Sequence, residues 1–129
     1  MIIKQLTVFL QNKSGRLEEL TDILSKNDIN ISALSVAETE DYGIMRMIVS
    51  DHEKALQMLK DAEFTVKTTE VVSIECPDIP GALHETLKTL NNNGINVSYM
   101  YGYSNGGIAR LIMKINNPEK AMEIIENNL

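Results

Sequence analysis

Asn12-Lys13-Ser14-Gly15-Arg16-Leu17 is followed, 66 positions later, by the similar stretch Asp78-Ile79-Pro80-Gly81-Ala82-Leu83. The next matching runs keep the same spacing, because Ile29-Asn30-Ile31-Ser32 corresponds to Ile95-Asn96-Val97-Ser98. Agreement at one spacing over two separate stretches indicates an internal repeat. We therefore interpret the chain as two copies of one small domain that together account for its whole length.

A third pair of similar stretches has a different spacing. Gly43-Ile44-Met45-Arg46 matches Gly107-Ile108-Ala109-Arg110 at 64 positions, so we expect the register of the repeat to slip in a loop. On this alignment the two arginines are counterparts, and we expect salt bridges from them, not catalysis. We assign the copies to residues 1–70 and 71–129. A domain of about 65 residues would be only marginally stable alone, so we expect the two copies to occur together.

The hydrophobic pattern of the first copy predicts the element order βαββαβ. Leu6, Val8 and Leu10 alternate as in a half-buried strand, and the leucines at 17, 20 and 24 follow at helical spacing. The second copy repeats this pattern. However, the sequence reaches Leu129 before any counterpart of the strand predicted at residues 64–70, so the second copy is predicted to be βαββα.

Two right-handed crossovers per copy place both helices on one face of a four-stranded antiparallel sheet. We therefore predict an α+β fold of two ferredoxin-like βαββαβ units in tandem, the second lacking its last strand. The first strand of the second copy, Val72 to Cys76, then has an open flank. We expect this flank to be covered within the chain, through a long strand over residues 65–76, or by a second chain.

Composition excludes several classes of function. The net charge is −6 and no basic stripe is present, so we expect no nucleic-acid partner. A single cysteine, Cys76, fits a reducing compartment. No apolar run approaches membrane-spanning length and residues 1–4 are too short for a signal segment, so we expect a cytoplasmic protein without a membrane partner.

The residues that usually bind metals or act in catalysis are scattered along the sequence. His52, His84 and Cys76 are far apart and are not matched between the copies, so we expect no metal site. The sequence has no glycine-rich phosphate loop, nucleophile motif or paired acidic pattern. We therefore expect neither a cofactor nor an enzymatic activity.

A βαββαβ unit with glycine at the first strand-to-helix turn, followed by Ile-Asn-hydrophobic-Ser at the second strand, resembles the ACT domain. The resemblance covers both copies, although Ser14 stands where proline is common in that family. ACT domains are regulatory modules that bind amino acids or similar small metabolites, usually where two units pack side by side. The resemblance thus implies an amino-acid-binding regulatory or sensor protein that acts on a partner enzyme in trans.

The glycine turns offer a physical basis for such binding. The first amides of a helix have no intrahelical partner and carry partial positive charge, and glycine lets a ligand carboxylate approach them. Asn12 and Asp78 either accept a hydrogen bond from the ligand ammonium or cap the helix. Asn30 and Asn96 either contact ligand across an interface or only shape a turn. The predicted ligand-binding residues are Asn12, Ser14, Gly15, Arg16, Leu17, Asn30, Ser32, Asp78, Pro80, Gly81, Ala82, Leu83, Asn96 and Ser98.

Two other functions use the same topology. A small enzyme on a ferredoxin-like scaffold would need a titratable constellation, which the sequence does not show. An RNA-binding module would need basic charge and exposed aromatic residues. Only Tyr99, Tyr101 and Tyr103 fit the second requirement, and we expect them to pack in a core or an interface. With the seven methionines and the open flank, these tyrosines predict a homodimer with a closed two-fold interface.

Overall fold

The computed structural model describes residues 1–11, 15–38 and 42–128. Their element order confirms the predicted alternation of strands and helices. None of the described helices is long and apolar enough to cross a membrane. The elements are β1 (Ile2–Gln11), α1 (Arg16–Lys26), β2 (Ile31–Glu38), β3 (Tyr42–Val49), α2 (His52–Asp61), β4 (Thr65–Pro77), α3 (Ala82–Asn92), β5 (Val97–Asn105), β6 (Ile108–Ile115) and α4 (Pro118–Asn128).

The first compact unit comprises Lys4–Thr69. Its strands have the order β2-β3-β1-β4, and β3 pairs antiparallel with both β1 and β2. Alternation along β1 turns Leu6 and Val8 toward the core, where both are fully buried with Leu20 and Leu24 of α1. Burial of each such side chain contributes about 1.5–3 kcal/mol, so this apolar face holds α1 against the sheet.

The second compact unit comprises Met1–Ile3 and the chain from Glu70 onward. Its strand β6 pairs antiparallel with β4 and β5, over a core that includes Val72, Leu90 and Met113. Together the two units confirm the predicted fold class of tandem ferredoxin-like units. No strand follows α4 within the part of the chain that the structure describes.

The chain's own first residues cover the flank of β4 in the second unit. The Met1 ammonium donates to the Ser73 carbonyl at 3.0 Å, and the Ser73 N–H donates back to the Met1 carbonyl at 2.8 Å. This mutual pair is the pattern of antiparallel strands. Within the flank expected to be open at Val72 to Cys76, Ser73 is therefore paired inside the chain, and its partner is Met1.

The strand registers correct the alignment of the two copies. Leu6 pairs with Met47 in the first unit and Val72 pairs with Met113 in the second, so β1 and β3 are both related to their counterparts by 66 positions. The expected slip to 64 positions is therefore wrong. The pairing of β3 is decided by its buried methionines, Met45 and Met47. The similarity of the two Gly-Ile-x-Arg stretches does not decide it.

The corrected register also separates the two arginines that the sequence had matched. The counterpart of Arg46 is Ile112, and that of Arg110 is Ile44. Arg110 lies opposite Glu75 across the β4–β6 pair, with 3.1 Å between Nη2 and Oε1, so the salt bridge expected there is present. Both side chains are more than half exposed, and such a pair contributes at most about 1 kcal/mol.

Candidate functional site

The two glycine turns have the same backbone conformation. Gly15 has φ 86° and Gly81 has φ 92°, both in the left-handed region, and they are the N-cap residues of α1 and α3. Side chains rarely adopt this region, since a Cβ there crowds the backbone. The first helical hydrogen bonds run from Glu19 to the Gly15 carbonyl at 2.9 Å and from Glu85 to the Gly81 carbonyl at 3.0 Å.

Neither glycine turn has a side-chain cap hydrogen bond among the described residues. An uncapped first turn leaves backbone N–H groups directed at solvent, at the positive end of the helix dipole. At the second turn the Ala82 N–H donates to the Ile79 carbonyl at 3.2 Å, so the amides that follow it are the candidate donors for a carboxylate. Asn12 and Ser14, which were also predicted to bind ligand, lie outside the described residues.

Asp78 is tied to the β5–β6 hairpin and does not cap α3. Its carboxylate accepts a hydrogen bond from the Ser104 hydroxyl, and its backbone N–H donates to the Gly107 carbonyl at 2.9 Å. The helix-capping interpretation of Asp78 is therefore wrong. Pro80, Gly81 and Leu83 are exposed at the same turn, and Ala82 is half-buried.

An open groove with a volume of about 250 Å³ lies beside the first glycine turn. We call it the first-turn groove. It brings together the end of β1, the start of α1, the end of β2 and the start of β3. Of the predicted residues it contains Arg16 and Leu17. Its lining residues are Leu10, Gln11, Arg16, Leu17, Val36, Ala37, Glu38, Tyr42 and Gly43.

Arg16 is held in place at the edge of the first-turn groove. One guanidinium nitrogen is 2.9 Å from a carboxylate oxygen of Glu19, and the guanidinium carbon is 3.9 Å from the centre of the Phe64 ring. The side chain is only 19% exposed, so this cation–π contact is partly shielded from water. These contacts restrict the rotamers of Arg16, and the Glu19 carboxylate is already its ion-pair partner.

The predicted asparagines follow the helices that begin at the glycine turns, and their backbones are anchored in the same way. The Asn30 N–H donates to the Ser50 hydroxyl at 3.0 Å, and the Asn96 N–H donates to the Asn116 side-chain oxygen at 2.8 Å. Ser50 and Asn116 are themselves counterparts, 66 positions apart. These bonds fit the interpretation that Asn30 and Asn96 shape a turn.

The serines predicted two residues after these asparagines lie at the starts of β2 and β5. The Ser32 hydroxyl donates to the Ile48 carbonyl at 3.2 Å, which holds its side chain against the neighbouring strand. Ser98 is exposed at the matching position of the second unit.

The glycine turns and the asparagines lie at opposite ends of each sheet. In the first unit, β2 pairs with β3 from Ile31 opposite Val49 to Glu38 opposite Gly43, and Gly43 also pairs with Leu10 near the end of β1. At ~3.3 Å per residue, the ends of β2 are roughly 20 Å apart. The second unit repeats this arrangement. One small ligand therefore cannot contact both predicted groups of the same unit.

A second groove of about 380 Å³ lies at the asparagine end of the first unit, where α1 leads into β2. It includes Asn30 but no residue of the glycine turn. Its lining residues are Thr21, Leu24, Ser25, Asp28, Ile29, Asn30 and Ile31. Among the described residues, no group of three or more His, Cys, Asp or Glu side chains could hold a metal ion.

Sequence reasoning missed several residues of the first-turn groove, among them Val36, Glu38 and Tyr42. The missing information was strand register, because only the pairing of β2 with β3 brings these residues beside α1. No local pattern in the sequence marks these residues, because they come from strands that are distant from Arg16 and Leu17 along the chain.

A family model described as an ACT domain pair matches residues 1–129. Among solved structures, protein BT0572 from Bacteroides thetaiotaomicron is 46% identical, with a TM-score of 0.94 over 98% of this chain and 88% of that chain. The ligand-free regulatory subunit of aspartate kinase from Thermus thermophilus is 12% identical, with a TM-score of 0.71 over 98% and 96%. Its counterpart from Thermus flavus is 10% identical, with a TM-score of 0.70 over 98% and 94%. No curated protein matches the sequence.

Proposed function

The chain belongs to the family of ACT domain pairs, and we propose on that basis that it is a regulatory protein whose ligand is a free amino acid. The resemblance drawn from the glycine turns is thereby confirmed for the family. The proposal goes further in naming the ligand class. It also assigns the protein a role in binding and not in catalysis.

One observation carries the proposal, namely the uncapped helix starts at Gly15 and Gly81. Each supplies backbone donors for a carboxylate, and glycine leaves them open to a ligand. Apart from the adjoining residues of the chain, no described residue has an atom within 4 Å of a Cβ built on either glycine. The residues at these two turns are the proposed contacts, because a ligand bound there cannot also reach the polar residues at the start of β2 or β5 in the same unit.

We propose further that the protein acts in trans on a separate enzyme chain. Two Thermus proteins that share its fold suggest this proposal, since they are regulatory subunits of an aspartate kinase. At 10–12% identity they indicate the fold alone. Co-purification of an endogenous enzyme whose rate changes on adding amino acid is the expected result, and a chain recovered alone at all ligand concentrations contradicts this part of the proposal.

A thermal-shift screen against the twenty amino acids tests the ligand class. At about a hundredfold excess over Kd, a ligand that binds only the folded chain stabilises it by about 2.7 kcal/mol. For a domain of this size, we expect the melting temperature to rise by about 5–15 °C. A screen in which no amino acid raises the melting temperature by 2 °C contradicts the proposal.

We also propose a homodimer, for which β2 supplies the clearest surface. It is the terminal strand of the first unit, and Leu34 and Val36 on it are 52% and 48% exposed. An apolar edge strand pairs readily with another chain. We expect light scattering across a dilution series to give a dimer that Leu34→Lys converts to a monomer, while Ile79→Lys, at a position 64% exposed, leaves the dimer intact. A monodisperse monomer at high micromolar concentration contradicts this proposal.

A further inference from the structure

We propose that the hairpin between β5 and β6 contains a modification site, at which Asn105 loses its side-chain amide and becomes aspartate or isoaspartate without an enzyme. This change loosens the neighbouring turn that leads into α3. The reaction needs only water, so it depends on neither the proposed ligand nor a partner chain. The chain has two asparagine–glycine pairs, and the fold restrains one of them but not the other.

An asparagine followed by glycine is especially susceptible to this reaction, because glycine has no side chain that obstructs ring closure. The backbone nitrogen of the glycine, after losing its proton, attacks the side-chain carbonyl carbon of the asparagine. A C–N bond forms there, the bond to Nδ2 breaks, and Nδ2 takes up a proton and leaves as ammonia. Water then opens the five-membered ring. Opening at the side-chain carbonyl gives aspartate, and opening at the main-chain carbonyl gives isoaspartate.

The first asparagine–glycine pair, Asn93 and Gly94, is restrained by the end of α3. Asn93 is the C-cap residue of that helix, and its side-chain Nδ2 donates to the Thr89 carbonyl at 2.8 Å. The Gly94 N–H donates to the Asn91 carbonyl at 3.1 Å. Both the leaving nitrogen and the attacking nitrogen are therefore held in hydrogen bonds that ring closure must break.

The second pair, Asn105 and Gly106, lies at the exposed tip of the hairpin. Gly106 and Gly107 form its two-residue loop, with φ 70° and 87°, and Asn105 pairs with Ile108 at the base of the loop. Among the described residues, neither the Gly106 N–H nor the Asn105 side chain makes a hydrogen bond. Ring closure requires Asn105 to rotate out of its strand, and pairs at the ends of elements open most readily.

Two hydrogen bonds of Asp78 connect this hairpin to the turn before α3. The Asp78 N–H donates to the Gly107 carbonyl at 2.9 Å, and the Asp78 carboxylate accepts from the Ser104 hydroxyl. Isoaspartate adds one atom to the main chain before Gly106, so the two-residue loop no longer matches the register of β5 and β6. Aspartate instead adds a negative charge to the hairpin that holds the Asp78 carboxylate. Either product weakens the connection.

Incubation of the full chain in mildly alkaline buffer, which favours loss of the amide proton, tests the assignment when trypsin digestion and tandem mass spectrometry follow. Cleavage after Lys88 and Arg110 gives one peptide that contains both pairs, so each digest supplies its own control. We expect a gain of one mass unit at Asn105 at least fivefold faster than at Asn93, after each rate is divided by its rate in urea. Equal or faster reaction at Asn93 overturns the inference, as does an unchanged Asn105 once the chain in urea has reacted fully.

Hydrogen exchange at the Asp78 amide tests the effect on the turn before α3. We expect this amide to exchange at least fivefold faster in the incubated chain than in fresh protein. The matched variant is Asn105→Gln, which keeps a side-chain amide but closes a six-membered ring far more slowly, and we expect its Asp78 exchange to stay unchanged after the same incubation. Asn93→Gln should behave as the wild type does. A modified chain whose Asp78 amide exchanges as slowly as in fresh protein overturns the structural part of the inference.

Discussion

Replacing Gly15 with valine is expected to weaken amino-acid binding at least a hundredfold, or by about 2.8 kcal/mol. The backbone there has φ 86°, and apart from the adjoining residues no described residue has an atom within 4 Å of a Cβ built on Gly15. The added methyl groups therefore project into the open space through which a carboxylate reaches the amides of α1. The left-handed backbone should also cost the fold about 1–2 kcal/mol, which a domain of ordinary stability tolerates.

A control for this backbone strain is Gly94→Val. Gly94 also has a left-handed backbone, with φ 75°, and its Cβ would meet no described atom within 4 Å, but it follows the opposite end of α3. We expect a similar loss of stability and unchanged affinity. Circular dichroism establishes folding and calorimetry gives affinity. Tight binding retained by a folded Gly15→Val chain would place the ligand elsewhere.

The second large effect is on stability, where Gly102→Ala is expected to destabilise the chain by about 3 kcal/mol or more. Gly102 lies in β5 opposite Leu111 of β6. A Cβ there would be 2.0 Å from the carbonyl oxygen of Arg110 and 3.1 Å from the Cα of Leu111. These are backbone atoms, so no rotamer change can relieve the overlap and the β5–β6 pair must shift.

Gly43→Ala provides the stability control for Gly102→Ala. It adds the same methyl group to the paired strand β3, where the nearest atoms are the Ala37 carbonyl oxygen at 3.6 Å and the Leu10 Cβ at 3.8 Å. These are ordinary contact distances, and we expect a change within about 1 kcal/mol. Urea denaturation measures both variants. A Gly102→Ala chain as stable as Gly43→Ala would contradict the described packing of β5 on β6.

The sequence predicted the elements well because each carries its own local signal. Two local patterns indicate which face of an element is buried. One is the alternation of Leu6, Val8 and Leu10, and the other is the helical spacing of Leu20 and Leu24. All five side chains lie in the core of the first unit. The repeat then doubled this information, because each pattern recurs 66 positions later. Element order therefore followed from periodicity, and the fold class followed from that order and the right-handed crossover rule.

Long-range pairing was not readable in the same way. The similarity of Gly43 to Gly107 favoured a spacing of 64 positions for β3. In the structure Leu6 pairs with Met47 and Val72 pairs with Met113, so the spacing of 66 positions is kept. The pairing of Met1 with Ser73 joins residues 72 positions apart, and no local pattern encodes it. Registers are decided by which side chains share a buried face after the sheet has formed.

The candidate site was predicted in part. The glycine turns have the left-handed backbone that their sequence indicates, and Arg16 and Leu17 line the first-turn groove. The groove residues from β2 and β3 were missed, because sequence distance conceals their approach to α1. The predicted asparagines lie at the far end of each sheet, since a helix that starts at the glycine turn carries the chain across the unit before the next strand begins.

The most direct measurement is a ¹⁵N–¹H NMR titration of the full chain with the amino acid that gives the largest thermal shift. The central claim is that an amino-acid carboxylate binds the backbone amides at a glycine turn. We predict saturable shifts of the Leu17 and Glu18 amide resonances, of the Leu83 and His84 amide resonances, or of both pairs, larger than those of amides at the other end of each helix. Saturable binding that leaves the amides of both turns unmoved would contradict the account.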